Sequence, residues 1–152
     1  MKILLAIDGS AQSEQALQEV VRRPWPEGSH IKAVTVYDPP PHFTPEVWGM
    51  TSRDTYTMAR GHLQKSAEEI VDKAHSFLSS GLDKSIHLTT EVLEGEPRKA
   101  ILDTADSWGA DLIIVGAQGH GAVSRFLLGS VSSALVHHAK CSVEVVRRRE
   151  AD

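Results

Sequence analysis

Two short, unbroken apolar runs constrain this chain most. They are Ile3-Leu4-Leu5-Ala6-Ile7 near the start and Leu112-Ile113-Ile114-Val115 late in the sequence. Neither alternates apolar with polar residues, as a strand with one wet face would. Neither is long enough to span a membrane. Such a run suits a strand covered by helices on both faces, as in a parallel sheet. Stretches of helical periodicity lie between the runs, and that alternation predicts an α/β layer fold.

The other elements follow from local chemistry. Ser10 is placed to cap a helix whose apolar face is Ala16, Leu17, Val20 and Val21, and Pro24 stops it. Residues 30–37, HIKAVTVY, read as a second strand, and the proline-rich stretch 39–50 as a loop. Leu63, Ala67, Ile70, Ala74 and Phe77 mark a long amphipathic helix ending near Gly81. Ile86, Leu88, Thr90 and Val92 alternate as a third strand. Pro97 opens a helix with Ile101, Ala105 and Trp108 on one face, and Gly109 closes it. The run 111–116 is the fourth strand, a helix runs from about Gly129 to His138, and 141–146 is the fifth strand. Five strands and four helices predict a single domain over 1–148 with a short tail, 149–152. The sheet should be largely parallel with right-handed crossovers.

Composition narrows the partners. Sixteen basic against 20 acidic side chains give a net charge of −4, so nothing in the balance favours nucleic acid or an anionic membrane. Arg147, Arg148 and Arg149 read as a solvated basic end. The single cysteine, Cys141, excludes an internal disulfide framework. With no apolar segment resembling a signal peptide or a spanning helix, the expectation is a cytoplasmic protein.

The chemistry concentrates in VGAQGHGAVSRFLLGS, residues 115–130. Gly116 and Gly119 leave a strand end. They can take positive φ and let backbone amides approach a ligand closely. Gly129-Ser130 begins the last helix, where unpaired N–H groups and the positive end of the dipole attract anions. The Ser130 and Ser132 hydroxyls can add donors. Together these residues describe a phosphate cradle. They also fit a plain tight turn followed by a helix cap, and the residues alone leave both open. In open α/β sheets, ligands bind beyond the carboxyl ends of the strands where strand order reverses. Asp8-Gly9-Ser10 and Gly116-Ala117-Gln118-Gly119 would face each other there if strands one and four were neighbours.

Other motifs are missing. There is no GxxxxGK[ST] loop, no lysine lies in 115–139, and Gly119-His120-Gly121 lacks the third glycine of a dinucleotide fingerprint. DGSAQS lacks the paired glycines of an ATP pyrophosphatase loop. Asp8 stands alone, without the acidic cluster of a phosphoacceptor domain.

The glycine set is where a family resemblance becomes specific. Gly116, Gly119, Gly129 and Ser130 match G-x2-G-x9-G-[ST], and the chain resembles a universal stress protein of the ATP-binding branch. KILLAIDGS, GEPRKAIL, ADLIIVGAQG and LLGSVSSALVHHAKCSVEVV extend the likeness over nearly the whole chain, with 38–60 departing from it. The resemblance implies a three-layer α/β/α sandwich of the adenine nucleotide alpha hydrolase type, with a five-stranded parallel sheet of order 3-2-1-4-5. It implies that Ala6, Ile7 and Asp8, with the backbone of Val36, lie against adenine or ribose. It also implies that Gly116, Gly119, Gly129, Ser130, Val131 and Ser132 hold ribose and phosphates. The expected ligand is ATP, AMP or ADP, with Mg²⁺ held mainly by phosphates and no protein metal site. The expected assembly is a homodimer through strand 141–147, in which alternation lets Glu144 face solvent. The expected role is a dimeric stress-response sensor or regulator. Because the cradle has no lysine clamp and no acidic base, turnover should be slow at most. A slow ATPase and a nucleotide-free dimeric interaction module are the alternatives.

The remaining candidates read as structural. His120 and Arg125 are expected as loop residues near the cradle. His137 and His138 are adjacent, which is poor metal geometry, and one should pack. Trp25, Trp48 and Trp108 should pack, and Cys141 has no activating partner.

Overall fold

The computed structural model describes residues 1–39, 53–119 and 128–147. Its elements are β1 (Lys2–Ala6), α1 (Ala11–Arg22), β2 (His30–Tyr37), α2 (Arg53–Gly81), β3 (His87–Glu94), α3 (Pro97–Trp108), β4 (Leu112–Gly116), α4 (Ser130–His138) and β5 (Ser142–Val146). All neighbouring strands pair in parallel, in the order β3-β2-β1-β4-β5. Strands one and four are therefore neighbours, and the strand order reverses between them.

Alternation along the central strands builds a core on each face. Ile3, Leu5 and Ile7 pack with Ala16 and Val20 of α1 and with Ala74 and Leu78 of α2. Leu4, Ala6, Ile113 and Val115 pack on the other face with Ile101 and Ala105 of α3 and Leu135 of α4. Ile3, Leu4, Leu5, Ile113 and Ile114 have no solvent exposure, as unbroken apolar runs require. The result is a three-layer α/β/α sandwich. Among the described residues no helix is long and apolar enough to cross a membrane.

The local signals hold up in detail. Ser10 caps α1 by accepting from the Ser13 amide at 3.3 Å. Pro97 is the first residue of α3, and Gly109 ends that helix in the left-handed region at φ 68°. Trp25 packs against the first core and donates its indole N–H to the Val20 carbonyl at 2.8 Å. Trp108 packs against the second core, with the ammonium groups of Lys2 and Lys32 lying 5.6 and 5.1 Å from its ring centre.

Three expectations are corrected. Glu144 does not face open solvent: it turns toward the α1 layer and accepts two hydrogen bonds from Arg23, at 2.6 and 2.7 Å. His137 and His138 are both exposed, so neither packs. His137 instead bonds through Nδ1 to the Ser133 carbonyl oxygen at 2.7 Å. Gly116 and Gly119 are not among the positive-φ glycines, so their conformational freedom is not what the fold uses. Trp48, His120, Arg125, Arg148, Arg149 and all of the 39–50 loop except Pro39 lie outside the described residues.

Candidate functional site

What the two glycines supply is space. A Cβ on Gly116 would stand 2.8 Å from the backbone carbon of Gln12, so the first turn of α1 rests directly on the end of β4. A Cβ on Gly119 would stand 2.6 Å from Asp8 Oδ2. Asp8 is itself held in place, because its Oδ1 accepts from the Ser10 amide at 2.9 Å. The turns leaving β1 and β4 thus lie against each other at the point where strand order reverses.

The chain then returns to this point. The Gly129 amide donates to the Ala117 carbonyl at 2.8 Å. The Ser132 hydroxyl, 2% exposed, donates to the same carbonyl at 2.8 Å and lies 3.0 Å from the Gly129 carbonyl. These bonds fasten the start of α4 to the exit of β4. Ser132 lines the cleft, yet its hydroxyl hydrogen is committed to the backbone, so its role is to hold the helix start in position. Gly129 is the N-cap of α4 and provides no side-chain cap. The amides of Ser130, Val131 and Ser132 consequently have no partner within the helix.

These elements enclose a cleft of about 470 Å³, a size usual for small-molecule sites. Of the residues singled out from the sequence, Ala6, Ile7, Asp8, Val36, Gly116, Gly119, Ser130, Val131 and Ser132 line it. Gly129 does not line it, but sits behind the wall and ties the turn together. Six further lining residues escaped the sequence reading: Ser13, Val34, Pro97, Ile101, Val115 and Gln118. Val34 could have been found from Val36, since residues two apart share a strand face. Pro97 and Ile101 share a helix face four residues apart, but only the fold shows that this face reaches past the strand ends.

The cleft has two distinct halves. Val34, Val36, Ile101 and Val115 make one half aliphatic. β1 ends at Ala6, whose partner on β2 is Val34, and the Ile7 amide still donates to the Val34 carbonyl at 2.9 Å. Val36, two residues further on, turns its backbone N–H and C=O toward the same side, where β1 has already ended. The other half is the start of α4. Among the described lining residues Asp8 is the single ionisable side chain. Among the described residues no cluster of three or more histidine, cysteine, aspartate or glutamate side chains could hold a metal ion. Cys141 lies outside the cleft, and burial pushes its thiol pKa up, which disfavours the thiolate.

Comparison with known proteins agrees with this layout. The family model described as "Universal stress protein family" matches residues 1–147. A universal stress protein from Synechocystis is 28% identical over 149 residues, 96% of this chain and 97% of its own length. The solved universal stress protein UspA from Lactobacillus plantarum is 26% identical, covers 97% of both chains and superposes with a TM-score of 0.80. Three solved structures of the same fold carry nucleotides: one universal stress protein with cAMP, one from Arabidopsis thaliana with AMP and one from Archaeoglobus fulgidus with dAMP. They are 19–22% identical, with TM-scores of 0.57–0.66, over 96–98% of this chain and 92–97% of theirs. With a profile match from the first residue to the end of the last strand, and the same sheet order in the fold, the chain belongs to the universal stress protein family.

Proposed function

We propose that this chain binds an adenine nucleotide in the cleft between β1 and β4 and acts as a dimeric sensor or regulator. The observation that carries the reading is the uncapped start of α4 facing an aliphatic half-cleft. The base lies among Val34, Val36 and Ile101. The N–H and C=O of Val36 match the acceptor and donor on the Watson–Crick edge of adenine. Asp8 accepts from ribose hydroxyls or the base. The amides of Ser130, Val131 and Ser132 receive phosphate, with Gly119 keeping the approach open and Gly116 and Gly129 fixing the turns behind it. The nucleotides in three structures of this fold support the same ligand class.

A Mg²⁺ ion accompanying the nucleotide would draw its ligands mainly from phosphate and water, because Asp8 is the one carboxylate among the described lining residues. Those residues offer no cationic clamp on a leaving phosphate, so turnover stays far below the ~1–10³ s⁻¹ of ordinary enzymes. The dimer forms through β5. That strand is a sheet edge without proline, and an unpaired edge invites pairing with a second copy. A cytoplasmic location fits a chain with one cysteine, Cys141.

Calorimetric titration with AMP and with Mg-ATP, on protein shown to be folded and nucleotide-free, tests the binding. Saturable binding of either supports the reading, and no binding at millimolar ligand contradicts it. Light scattering tests the dimer, and a mass near 16.6 kDa contradicts it.

A further inference from the structure

We propose that the first turn of α3, Pro97 with Ile101 one turn later, is a steric gate that sets the size of base the cleft accepts. This rests on the nucleotide reading above and adds a specificity-determining element to it. The two residues lie four apart and therefore share a helix face. Ile101 is 4% exposed, packs in the core with Ala105 and also lines the cleft. Pro97 lines the cleft as well, half-buried, where α3 reaches past the strand ends. Val34 and Val36 of β2 line the same part of the cleft, and Val34 shares a core cluster with Ile101. A flat ring entering this end of the cleft meets aliphatic carbon from both β2 and α3.

The base belongs at this end because the start of α3 is closed to anions. The Glu96 carboxylate accepts from the Arg98 and Lys99 amides at 3.3 and 3.0 Å, and Pro97 has no N–H to offer. A phosphate placed here would find these amides taken and the Glu96 carboxylate, itself paired with the Arg98 guanidinium at 2.7 Å, in its way, whereas the start of α4 offers it open amides. The gate is also stiff. The proline ring fixes its own φ, and a β-branched isoleucine in a helix keeps essentially one χ1 rotamer. A rigid wall cannot move aside for a larger base. In an apolar pocket a misfit of one methylene already changes selection by about tenfold or more.

The test is calorimetric titration of wild type, Ile101→Val and Ile101→Ala with AMP and with AMP analogues carrying a benzyl or propyl group. The group is placed on the exocyclic amine, at carbon two or at carbon eight. The quantity read is the affinity ratio of analogue to AMP. We expect wild type to bind AMP and to disfavour the analogues. At one or more base positions the ratio should rise from wild type to Ile101→Val to Ile101→Ala, by about tenfold overall. Partial unfolding of a core variant lowers both affinities alike and leaves the ratio unchanged. Pro97→Ala, outside the core cluster, should shift the ratio at the same base position by a smaller amount. AMP binding with unchanged ratios in all three variants overturns the gate and leaves the nucleotide reading standing. Failure of wild type to bind any adenine nucleotide overturns the reading itself.

Discussion

The starts of α3 and α4 border the same cleft and are built in opposite ways. α3 begins with a proline behind a glutamate cap, so its first amides are either missing or already bonded. α4 begins with a glycine that caps nothing, and its first amides are left without helix partners. The dipole gives both helices a positive start. What decides which start can hold an anion is therefore the residue at the cap. A single cleft thereby acquires a polarity, an apolar, plugged end and an open end, which the proposed reading gives to base and phosphate respectively.

The largest effect should come from filling the space between the two turns. Gly119→Val pushes a side chain into Asp8 and across the approach to α4, and AMP affinity should fall at least about 100-fold, roughly 2.7 kcal/mol. Retention of binding in a calorimetric titration would show that the open end is elsewhere. Gly116→Ala acts on the scaffold instead. Its Cβ meets backbone of α1 that cannot rotate away, so the fold should lose about 1–3 kcal/mol in chemical denaturation. An unchanged midpoint would mean that α1 does not rest on β4.

Smaller effects separate the two helix starts further. Ser132→Ala removes a bond that fastens α4 to Ala117, so stability should drop by about 1 kcal/mol and AMP should bind several-fold more weakly. The matching change at α3, Glu96→Gln, should leave AMP affinity nearly unchanged. It should alter the response to acid. The Arg98 side chain, with a contribution from the Lys99 and Arg98 amides, holds the Glu96 carboxyl below its ordinary value of about 4.3. A carboxyl lowered in the folded state stabilises the fold above its unfolded value, and that contribution is lost as pH falls through the folded value. Glu96 is exposed, so the loss below about pH 4.3 should be small. Denaturation midpoints from pH 6 to pH 3 should fall slightly less in Glu96→Gln, by the amount this group contributes.

Much of this architecture was legible in the residues because its signals are local. Unbroken apolar runs such as Ile3 to Ile7 can be satisfied only by burial on both faces. Ser10, Pro97 and Gly109 act within one helical turn of themselves. The sheet order was not local in this sense and rested on the family resemblance, as did the assignment of ligand-facing residues. What escaped depends on groups far apart in the chain. Glu144 meets Arg23 across 121 positions, and no alternation rule could show that its outward register ends on the residue that closes α1. Gly116 and Gly119 were singled out for freedom of φ. Their actual constraint is crowding by Gln12 and Asp8, which exists only once β1 and β4 are side by side. Ile101 was read as a core residue and is one, yet its helix also extends to the cleft.

The difference between the two helix starts can be observed amide by amide. The direct measurement is a ¹⁵N-resolved titration of the protein with AMP and, separately, with adenosine, which lacks the phosphate. Both ligands should perturb Val36 and Ile101. AMP alone should add large shifts at Ser130, Val131 and Ser132, and neither should do so at Arg98 and Lys99. Phosphate-dependent shifts at Arg98 and Lys99, or equal shifts at Ser130 to Ser132 with both ligands, would contradict the account.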